Sequence, residues 1–298
     1  MVGPVLIIHG NEEQRREHLP RIAAGEVMWC QGFSEPGAGS DLASLQARAV
    51  RDGDEYVING QKIWTSGAQF TDWIHVLTRT DPDAPKHRGI SYFMLDMRML
   101  GITVRPIVQM HDARGFNETF FEDVRVPAKN RLGEENRGWY VATRTLDFER
   151  SGVHRAAAVE RVFRPLLEHA AQPGSAGEGR RIVDHLPNRL ALADTAIELE
   201  VGRVLGYRVA WMQSRGLVGN CEASMSKAFN SELSQRNARR AINMLGLHGA
   251  LRPGSAHAPL EGRYCASYMS TVSATIAAGT SEVQRNIIAN RGLGLPRG

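Results

Sequence analysis

Three short segments of the chain combine residue types that bind phosphate groups and planar rings. Residues 33–41 read Phe-Ser-Glu-Pro-Gly-Ala-Gly-Ser-Asp directly after a predicted strand. Residues 60–67 place Trp64 among small hydroxyl residues, and residues 279–285 open the last predicted helix. Glycine and serine let a ligand approach backbone N–H groups closely, and a helix N-terminus favours an anion. Taken together, the three segments indicate more than three structural turns: they offer groups suited to contact a phosphate or the edge of a ring.

Each segment taken alone also has a purely structural reading. The first fits a turn, Trp64 fits a core aromatic, and the third fits a capped helix in which Ser281 and Gln284 are spaced as a capping box. The sequence motifs typical of zinc proteases, serine hydrolases and P-loop proteins are absent from the sequence. Residues 37–42 resemble half of a dinucleotide fingerprint, but no parallel βαβ pattern surrounds them, which argues against a Rossmann fold.

The elements that must position these segments fall into two zones and predict an α+β fold. Residues 27–133 alternate β-branched and aromatic runs with Asp-Gly and Asn-Gly turns, which predicts a central β-domain, an antiparallel sandwich or barrel. We expect strands at 45–50, 56–58, 62–66, 73–80, 90–95, 102–105 and 119–126. Residues 1–26 contain a short helical pattern that stops at Gly25.

Residues 134–298 change to a helical period and predict a four-helix up-and-down bundle. The composition of residues 172–180 predicts a loop between two of the helices. One apolar stripe is expected to form the buried face of a long helix: Leu190, Ala193, Ile197, Val201, Val204, Val209 and Met212.

Composition excludes several classes of function. The chain has 298 residues with 36 Lys+Arg against 32 Asp+Glu, and the basic residues are dispersed, which argues against nucleic-acid binding. The three cysteines lack metal or disulfide spacing, so no metal site is predicted and reduced thiols in the cytoplasm are expected. No apolar run reaches about 20 residues, so no membrane span is predicted.

Read in order, the motifs resemble the acyl-CoA dehydrogenase family across essentially the whole chain. They are S-E-P-G-A-G-S-D, N-G-x-K-x-W-T-S, F-E-D-V-x-V-P at Phe121 to Pro127, and G-T-S-E-x-Q-R. The resemblance implies a helical N-terminal domain, a central β-domain and a C-terminal bundle, with FAD held between the last two. Residues 1–26 would be a remnant of the N-terminal domain, which is otherwise largely missing here.

The resemblance also implies a reaction, which is α,β-desaturation of an acyl-CoA thioester. A carboxylate removes the α proton and the β hydrogen leaves as hydride to flavin N5. The flavin contacts implied are Phe33, Ser34, Gly39, Ser40, Trp64, Ser66, Asn243, Thr280 and Glu282. The substrate contacts implied are Ser40, Asp147, Arg150 and Ala278. The expected partners are an electron-transfer flavoprotein and further subunits in a dimer or tetramer.

The catalytic base is where this sequence departs from many family members. They carry Glu two residues before the Thr of the last motif, where this chain has Ala278, which cannot accept a proton. A second family placement lies on the first long bundle helix in a D-x-E-R context, which Glu149 matches. The alternative is that Glu149 is a solvated carboxylate paired with Arg150 or Arg144. The small side chains of Ala277 and Ala278 predict a pocket for branched or bulky acyl groups.

Two further departures leave alternatives open. The R-x-x-F-G element is absent near residues 177–181, and in the turn at 243–249 Asn243 replaces a usual Gln and Leu247 a usual Gly. Such losses resemble those of family members that work as heteromers. The chain is therefore either a dehydrogenase with Glu149 as base, a non-catalytic subunit that completes a homologue's site, or a relative with other flavin chemistry such as nitroalkane oxidation or monooxygenation.

Overall fold

The structure, a computed structural model, describes residues 2–149, 152–217 and 219–296, without the side chains of residues 147–149. The chain divides into two compact units, Met1–Phe148 and Glu149–Gly298. Within the described ranges, no helix is both long and apolar enough to cross a membrane.

The first unit contains seven strands and three helices. The helices are α1 (Val2–His9), α2 (Glu12–Ala23) and α3 (Gly138–Glu149). The strands are β1 (Trp29–Gly32), β2 (Arg48–Asp52), β3 (Glu55–Lys62), β4 (Trp73–Arg79), β5 (Ile90–Asp96), β6 (Ile102–Ile107) and β7 (Phe116–Pro127). Helix α2 begins at Asn11, whose side chain accepts the Gln14 N–H at 2.8 Å while the Gln14 side chain accepts the Asn11 N–H at 3.0 Å.

All seven strands belong to one sheet. Its order is β5-β4-β2-β3-β7-β6, and β1 lies beside the first half of β4. Most neighbours are antiparallel as expected, but β1 and β4 are parallel, and β2 meets β4 in parallel only at Arg48 and Arg79. The strand predicted at 62–66 is wrong, because β3 ends at Lys62 and Trp64 has a φ of 62°.

One face of the sheet curls around a core of its own. Strands β3 and β5 are not neighbours, yet Tyr56 and Phe93 contact each other edge to face with ring centroids 4.8 Å apart. The enclosed apolar residues include Ile58, Ile74, Val76, Leu95, Phe121, Val124 and Val126. This half-barrel and its helices confirm the predicted α+β class.

The opposite face of β4 and β5 is covered by helices. Val5 and Leu6 from α1 and Val141 and Ala142 from α3 are buried in one cluster with the strand residues Leu77, Ile90, Tyr92 and Met94. Helix α3 therefore packs in the first unit through its apolar face. Its residues nevertheless lie within residues 134–298, the segment that the sequence predicts as a helical bundle. The apolar sequence of residues 2–9 forms a helix with almost no polar face, which is why it lies against this cluster.

The second unit is built on three long helices. They are α4 (Val153–Ala170), α5 (Leu186–Ser214) and α6 (Asn220–Leu245), and the shorter α7 (Arg263–Ser270) and α8 (Ser281–Ile287) both pack against α6. The common core includes Phe163, Leu166, Leu199, Leu233 and Tyr264. The residues predicted as a loop, 172–180, connect α4 to α5 without regular structure.

The predicted buried face of α5 is wrong at most of its positions, although Val209 is buried as expected. Ile197 and Val204 are 65% and 63% exposed, and Leu190 and Val201 are exposed as well. The buried positions are Leu192, Thr195, Leu199, Gly202, Gly206 and Val209. Glycine at position 202 leaves room for the Asn230 side chain, since a Cβ there would lie 2.3 Å from Asn230 Oδ1. Hydrophobic periodicity indicated the other side because the packed side carries Thr and Gly.

Folding of the first unit should weaken in acid because His75 is buried neutral. Burial lowers its pKa from 6.5 to about 3, and His75 Nδ1 shares a 2.7 Å hydrogen bond with the Tyr92 hydroxyl. The unfolded chain therefore binds more protons below pH 6.5, and we expect this residue alone to remove about 2 kcal/mol of stability between pH 7 and pH 5. Urea unfolding at both pH values measures the loss.

The control for this prediction is the double variant His75→Phe/Tyr92→Phe, which keeps two rings and removes the titrating group. The difference in unfolding free energy between the two pH values should be smaller in this variant by about 2 kcal/mol. An unchanged difference would show that His75 is not the source of the acid sensitivity.

Candidate functional site

The loop at residues 33–41 leaves β1 and turns back on itself at once. Glu35 and Ala38 exchange two backbone hydrogen bonds, of 2.9 and 3.0 Å. Gly37, Gly39 and Ser40 are exposed, and a Cβ added at either glycine would meet no atom within 4 Å. The loop is thus closed at its base and open at its tip, where a ligand can reach the backbone directly.

A buried ion pair fixes the base of this loop. Lys62, at the end of β3, is fully buried, and its Nζ donates to Glu35 Oε1 at 2.7 Å and to the Phe33 carbonyl at 3.1 Å. The Glu35 carboxylate also accepts the N–H groups of Gln46 at 2.6 Å and Ala47 at 2.9 Å. One carboxylate therefore joins the loop to β3 and to the segment that leads into β2.

Burial dominates the electrostatics of this pair. Desolvation lowers the pKa of Lys62 to about 8, although the charge and the hydrogen bond of Glu35 act in the opposite direction. A buried ammonium requires a partner that is both charged and hydrogen-bonded, and Glu35 supplies both. The pair was not predicted from the sequence. A signal existed, because Lys62 follows Tyr56 and Ile58 in the alternation of inward-facing residues on β3.

The Trp64 segment follows this lysine and forms a turn anchored to β7. The Thr65 N–H donates to the Asn117 carbonyl at 3.0 Å, and the Asn117 side chain donates back to the Thr65 carbonyl at 2.8 Å. Trp64 is 55% exposed, and its ring meets Phe116 edge to face at 6.1 Å. This exposure excludes the reading of Trp64 as a core aromatic and leaves an indole face open to a ligand.

Polar atoms beside Trp64 lack partners. Within the described part of the chain, the buried hydroxyls of Thr65 and Thr119 and the Asn117 Oδ1 have no hydrogen-bond partner. Buried polar atoms of this kind are normally satisfied by protein, water or a ligand. A planar ring with carbonyl and N–H groups at its edge fits the combination of an open aromatic face and adjacent unsatisfied polar atoms.

Two predicted flavin contacts in this unit are only partly accessible to a ligand. The Phe33 side chain is 4% exposed and packs edge-on against His75 and Tyr92, so only its backbone is accessible to a ligand. Ser34 is half-buried, and its carbonyl accepts the Ile63 N–H at 2.9 Å. The first and second predicted segments therefore lie in one unit. Ser66, two residues after Trp64, is exposed.

The third predicted segment, in the second unit, is a strained turn. Ala278 and Gly279 have φ values of 55° and 85°. The expected capping box of Ser281 and Gln284 is wrong: Thr280 is the N-cap, its hydroxyl accepting the Val283 N–H at 3.2 Å. The reason is that the Gln284 amide turns back instead, donating to the carbonyls of Ala278 and Gly279 at 3.1 Å each.

The remaining predicted site residues are either exposed or lie outside the described side chains. Glu282 is exposed, and its pKa is lowered by hydrogen bonds from its own N–H and from the Thr280 hydroxyl. Asn243 is exposed near the end of α6. Glu149 is the last residue of α3, but its side chain and that of Asp147 lie outside the described residues, as does all of Arg150.

Breaking the Lys62–Glu35 pair from one side should strongly destabilise the first unit. Lys62→Met leaves the Glu35 carboxylate buried without its counter-charge, and we expect a loss of about 3 to 5 kcal/mol in unfolding free energy. Urea denaturation at pH 7 measures it. Lys129→Met is the matched control, because Lys129 pairs with Glu13 at 3.4 Å on the surface and should leave stability nearly unchanged. Equal effects of the two changes would contradict the prediction.

Two family models match the chain. The acyl-CoA dehydrogenase middle domain matches residues 30–124, and the acyl-CoA dehydrogenase C-terminal domain matches residues 136–293. The first covers the sheet with loop 33–41 and Trp64, and the second covers the helices with the Ala278 turn. Both sets of site residues therefore lie inside the matched regions.

Individual relatives agree with the family models. Acyl-CoA dehydrogenase FadE26 of Mycobacterium tuberculosis is 40% identical over 304 residues, covering 99% of this chain and 75% of the relative. The Tcur3481-Tcur3483 steroid ACAD has a similar structure, with a TM-score of 0.91 and 36% identity over 100% of this chain and 76% of that one.

The ChsE4-ChsE5 complex from Mycobacterium tuberculosis is a further neighbour, with a TM-score of 0.89 and 38% identity over 100% of this chain and 76% of that one. Because family models match most of the chain and a relative is 40% identical along nearly all of it, this protein belongs to the acyl-CoA dehydrogenase family, oxidoreductases that act on CH–CH bonds.

Proposed function

We propose that this chain binds FAD and oxidises an acyl-CoA thioester to its α,β-unsaturated form, with Glu149 as the catalytic base. Family members are generally FAD-dependent. The observation that carries the proposal is the junction built by Lys62 and Glu35, which joins an open glycine loop to an exposed Trp64.

The residues present fit the cofactor. In the first unit, the backbone of Phe33 and Ser34 with Gly39 and Ser40 would hold the flavin and its phosphates, and Trp64 and Ser66 would face the ring, whose polar edge suits the unsatisfied hydroxyl of Thr65. In the second unit, the contacts would be Asn243, Thr280 and Glu282. When bound, FAD supplies the hydride acceptor.

The proton chemistry belongs to the chain's own residues. The α proton of a thioester is weakly acidic, so its removal needs a carboxylate and hydrogen-bond donors on the carbonyl oxygen where charge develops. Glu149 would accept the proton. The Ala278 N–H, which has no acceptor among the described residues, would donate to the oxygen. Asp147 and Arg150 are proposed to contact the substrate, as Ser40 is.

The proposed substrate is a branched or otherwise bulky acyl-CoA. Ala277 and Ala278 have small side chains beside the proposed oxygen contact. A structure 36% identical to this chain carries the name steroid ACAD, which describes a bulky substrate for that protein. An electron-transfer flavoprotein would then take the electrons from the reduced cofactor. Slower reaction with branched or ring-bearing thioesters than with short straight ones would count against the substrate proposal.

The assignment of Glu149 predicts a specific loss. Oxidised flavin absorbance should bleach when a bulky acyl-CoA is added to the purified protein, and Glu149→Gln should slow this bleaching by about 10²- to 10⁴-fold with the flavin still bound. Stopped-flow absorbance measures both. Glu168→Gln, an exposed carboxylate on α4, is the matched control and should bleach at the normal rate. Bleaching by Glu149→Gln at the wild-type rate would remove Glu149 from the mechanism.

A specific observation also supports assembly with a homologous subunit. The exposed side of α5 carries seven large apolar side chains: Leu186, Leu190, Ile197, Val201, Val204, Tyr207 and Trp211. Contiguous exposed apolar surface of this extent is typical of protein interfaces. Two of the similar structures are named as pairs of proteins, ChsE4-ChsE5 and Tcur3481-Tcur3483. If flavin is retained only after co-expression with such a subunit, this chain is the completing partner and not the complete enzyme.

The α5 face gives a second prediction for this function. Val204→Glu should break the assembly because it places a charge in the apolar contact, and sedimentation velocity should then show a smaller species. Its folding stability should be unchanged, since Val204 is 63% exposed. Leu167→Glu, at an exposed apolar position on α4, is the control and should leave assembly intact. An unaltered sedimentation coefficient for Val204→Glu would place the interface elsewhere.

A further inference from the structure

The second unit also buries a lysine. Lys227, on α6, is fully buried, and the same helix also buries the small polar residues Ser224, Ser226, Asn230 and Ser231. Its Nζ donates to the Gly279 carbonyl at 2.7 Å. An ammonium group is costly to bury, and the side chain ends on the backbone of a turn 52 residues away in the chain. Simple packing of α6 against its neighbours does not require this arrangement.

The turn that Lys227 contacts is held at two carbonyl oxygens. Gly279 O accepts from both Lys227 Nζ and Gln284 Nε2, and Ala278 O accepts from Gln284 Nε2. A side chain at position 279 is excluded, because a Cβ would lie 2.5 Å from Gln284 Nε2. Ala278 has a positive φ, which costs a non-glycine residue roughly 1 kcal/mol or more, so other contacts must hold it there.

These hydrogen bonds determine where the N–H groups of the turn point. Among the described residues every peptide bond is trans, so each C=O is antiparallel to the N–H of the following residue. With the carbonyls of Ala278 and Gly279 directed toward buried donors, the N–H groups of Gly279 and Thr280 are directed away from them. No N–H from Ala278 to Thr280 has an acceptor within the described part of the chain. The turn therefore presents consecutive free donors.

We infer that Lys227 is a positioning residue, which, together with Gln284, holds the Ala278–Gly279 turn so that its free N–H donors can bind an oxyanion. The inference rests on the proposed function, in which the Ala278 N–H donates to the thioester oxygen, and it adds as donors the neighbouring N–H groups of Gly279 and Thr280, whose directions the bound carbonyls set. Lys227 itself does not touch the substrate. Its contribution is to fix donors before charge develops, which is how such sites lower a barrier.

The test measures turn order and turnover separately. Lys227→Met keeps the length and removes the ammonium, and Gln284→Leu removes the other donor without touching Lys227. Hydrogen–deuterium exchange should accelerate at least about tenfold for the α8 amides that follow the turn, with α4 and α5 unchanged. With a bulky acyl-CoA, kcat should fall about 10- to 100-fold while KM changes little. The reason is that the displaced donors stabilise the negative charge that develops during the reaction and not the bound substrate.

The matched control is Ser231→Ala, which changes a buried polar residue on α6 whose hydroxyl donates to the Ala228 carbonyl at 3.1 Å. Exchange at α8 and kcat should both stay normal. Unchanged α8 exchange in Lys227→Met and Gln284→Leu would overturn the inference, as would faster exchange spread evenly over α4 to α6. If the wild-type protein oxidises no acyl-CoA, the proposed function fails, and the exchange result still decides whether Lys227 orders the turn.

Discussion

The first unit depends on the need to neutralise one buried ammonium group. Lys62 has no access to water, and Glu35 is the carboxylate that reaches its Nζ, at 2.7 Å. Because Glu35 also accepts two backbone N–H groups, its position decides where the loop after β1 closes and where the chain enters β2. A glycine-rich loop bends easily but has many conformations, and the ion pair selects one of them.

The second unit also contains a fully buried lysine. Lys227 comes from a long helix, as Lys62 comes from a long strand, and each donates to a backbone carbonyl of a loop that we propose to bind ligand. In both places a non-glycine residue with positive φ lies close by, Trp64 in one and Ala278 in the other. Regular elements thus supply buried charge, and irregular segments supply the groups left open to a ligand.

Much of this could be predicted because local patterns encode it. Alternation and Asn-Gly or Asp-Gly turns locate most strands, since those turns suit hairpins, and the three ligand segments are contiguous in sequence. What failed depends on contacts that no residue pattern marks. The buried side of α5 carries Thr195 and Gly202, which no hydrophobicity pattern marks, and the Gln284 amide bonds the turn behind it and not the helix cap. The partners of Lys62 and Lys227 were not predicted either, because each partner lies more than 25 residues from its lysine in the chain.

The strained turn before α8 has an evolutionary consequence. The shape of the turn is set by hydrogen-bond donors to the carbonyls of Ala278 and Gly279. The side chain at position 278 takes no part in those hydrogen bonds. A glutamate and an alanine there experience similar backbone strain, since both carry a Cβ. The side chain at 278 is therefore free to drift while the backbone donors persist. Under the proposed assignment of Glu149 as the base, a carboxylate can be lost at this position and retained at the end of α3 without rebuilding the turn.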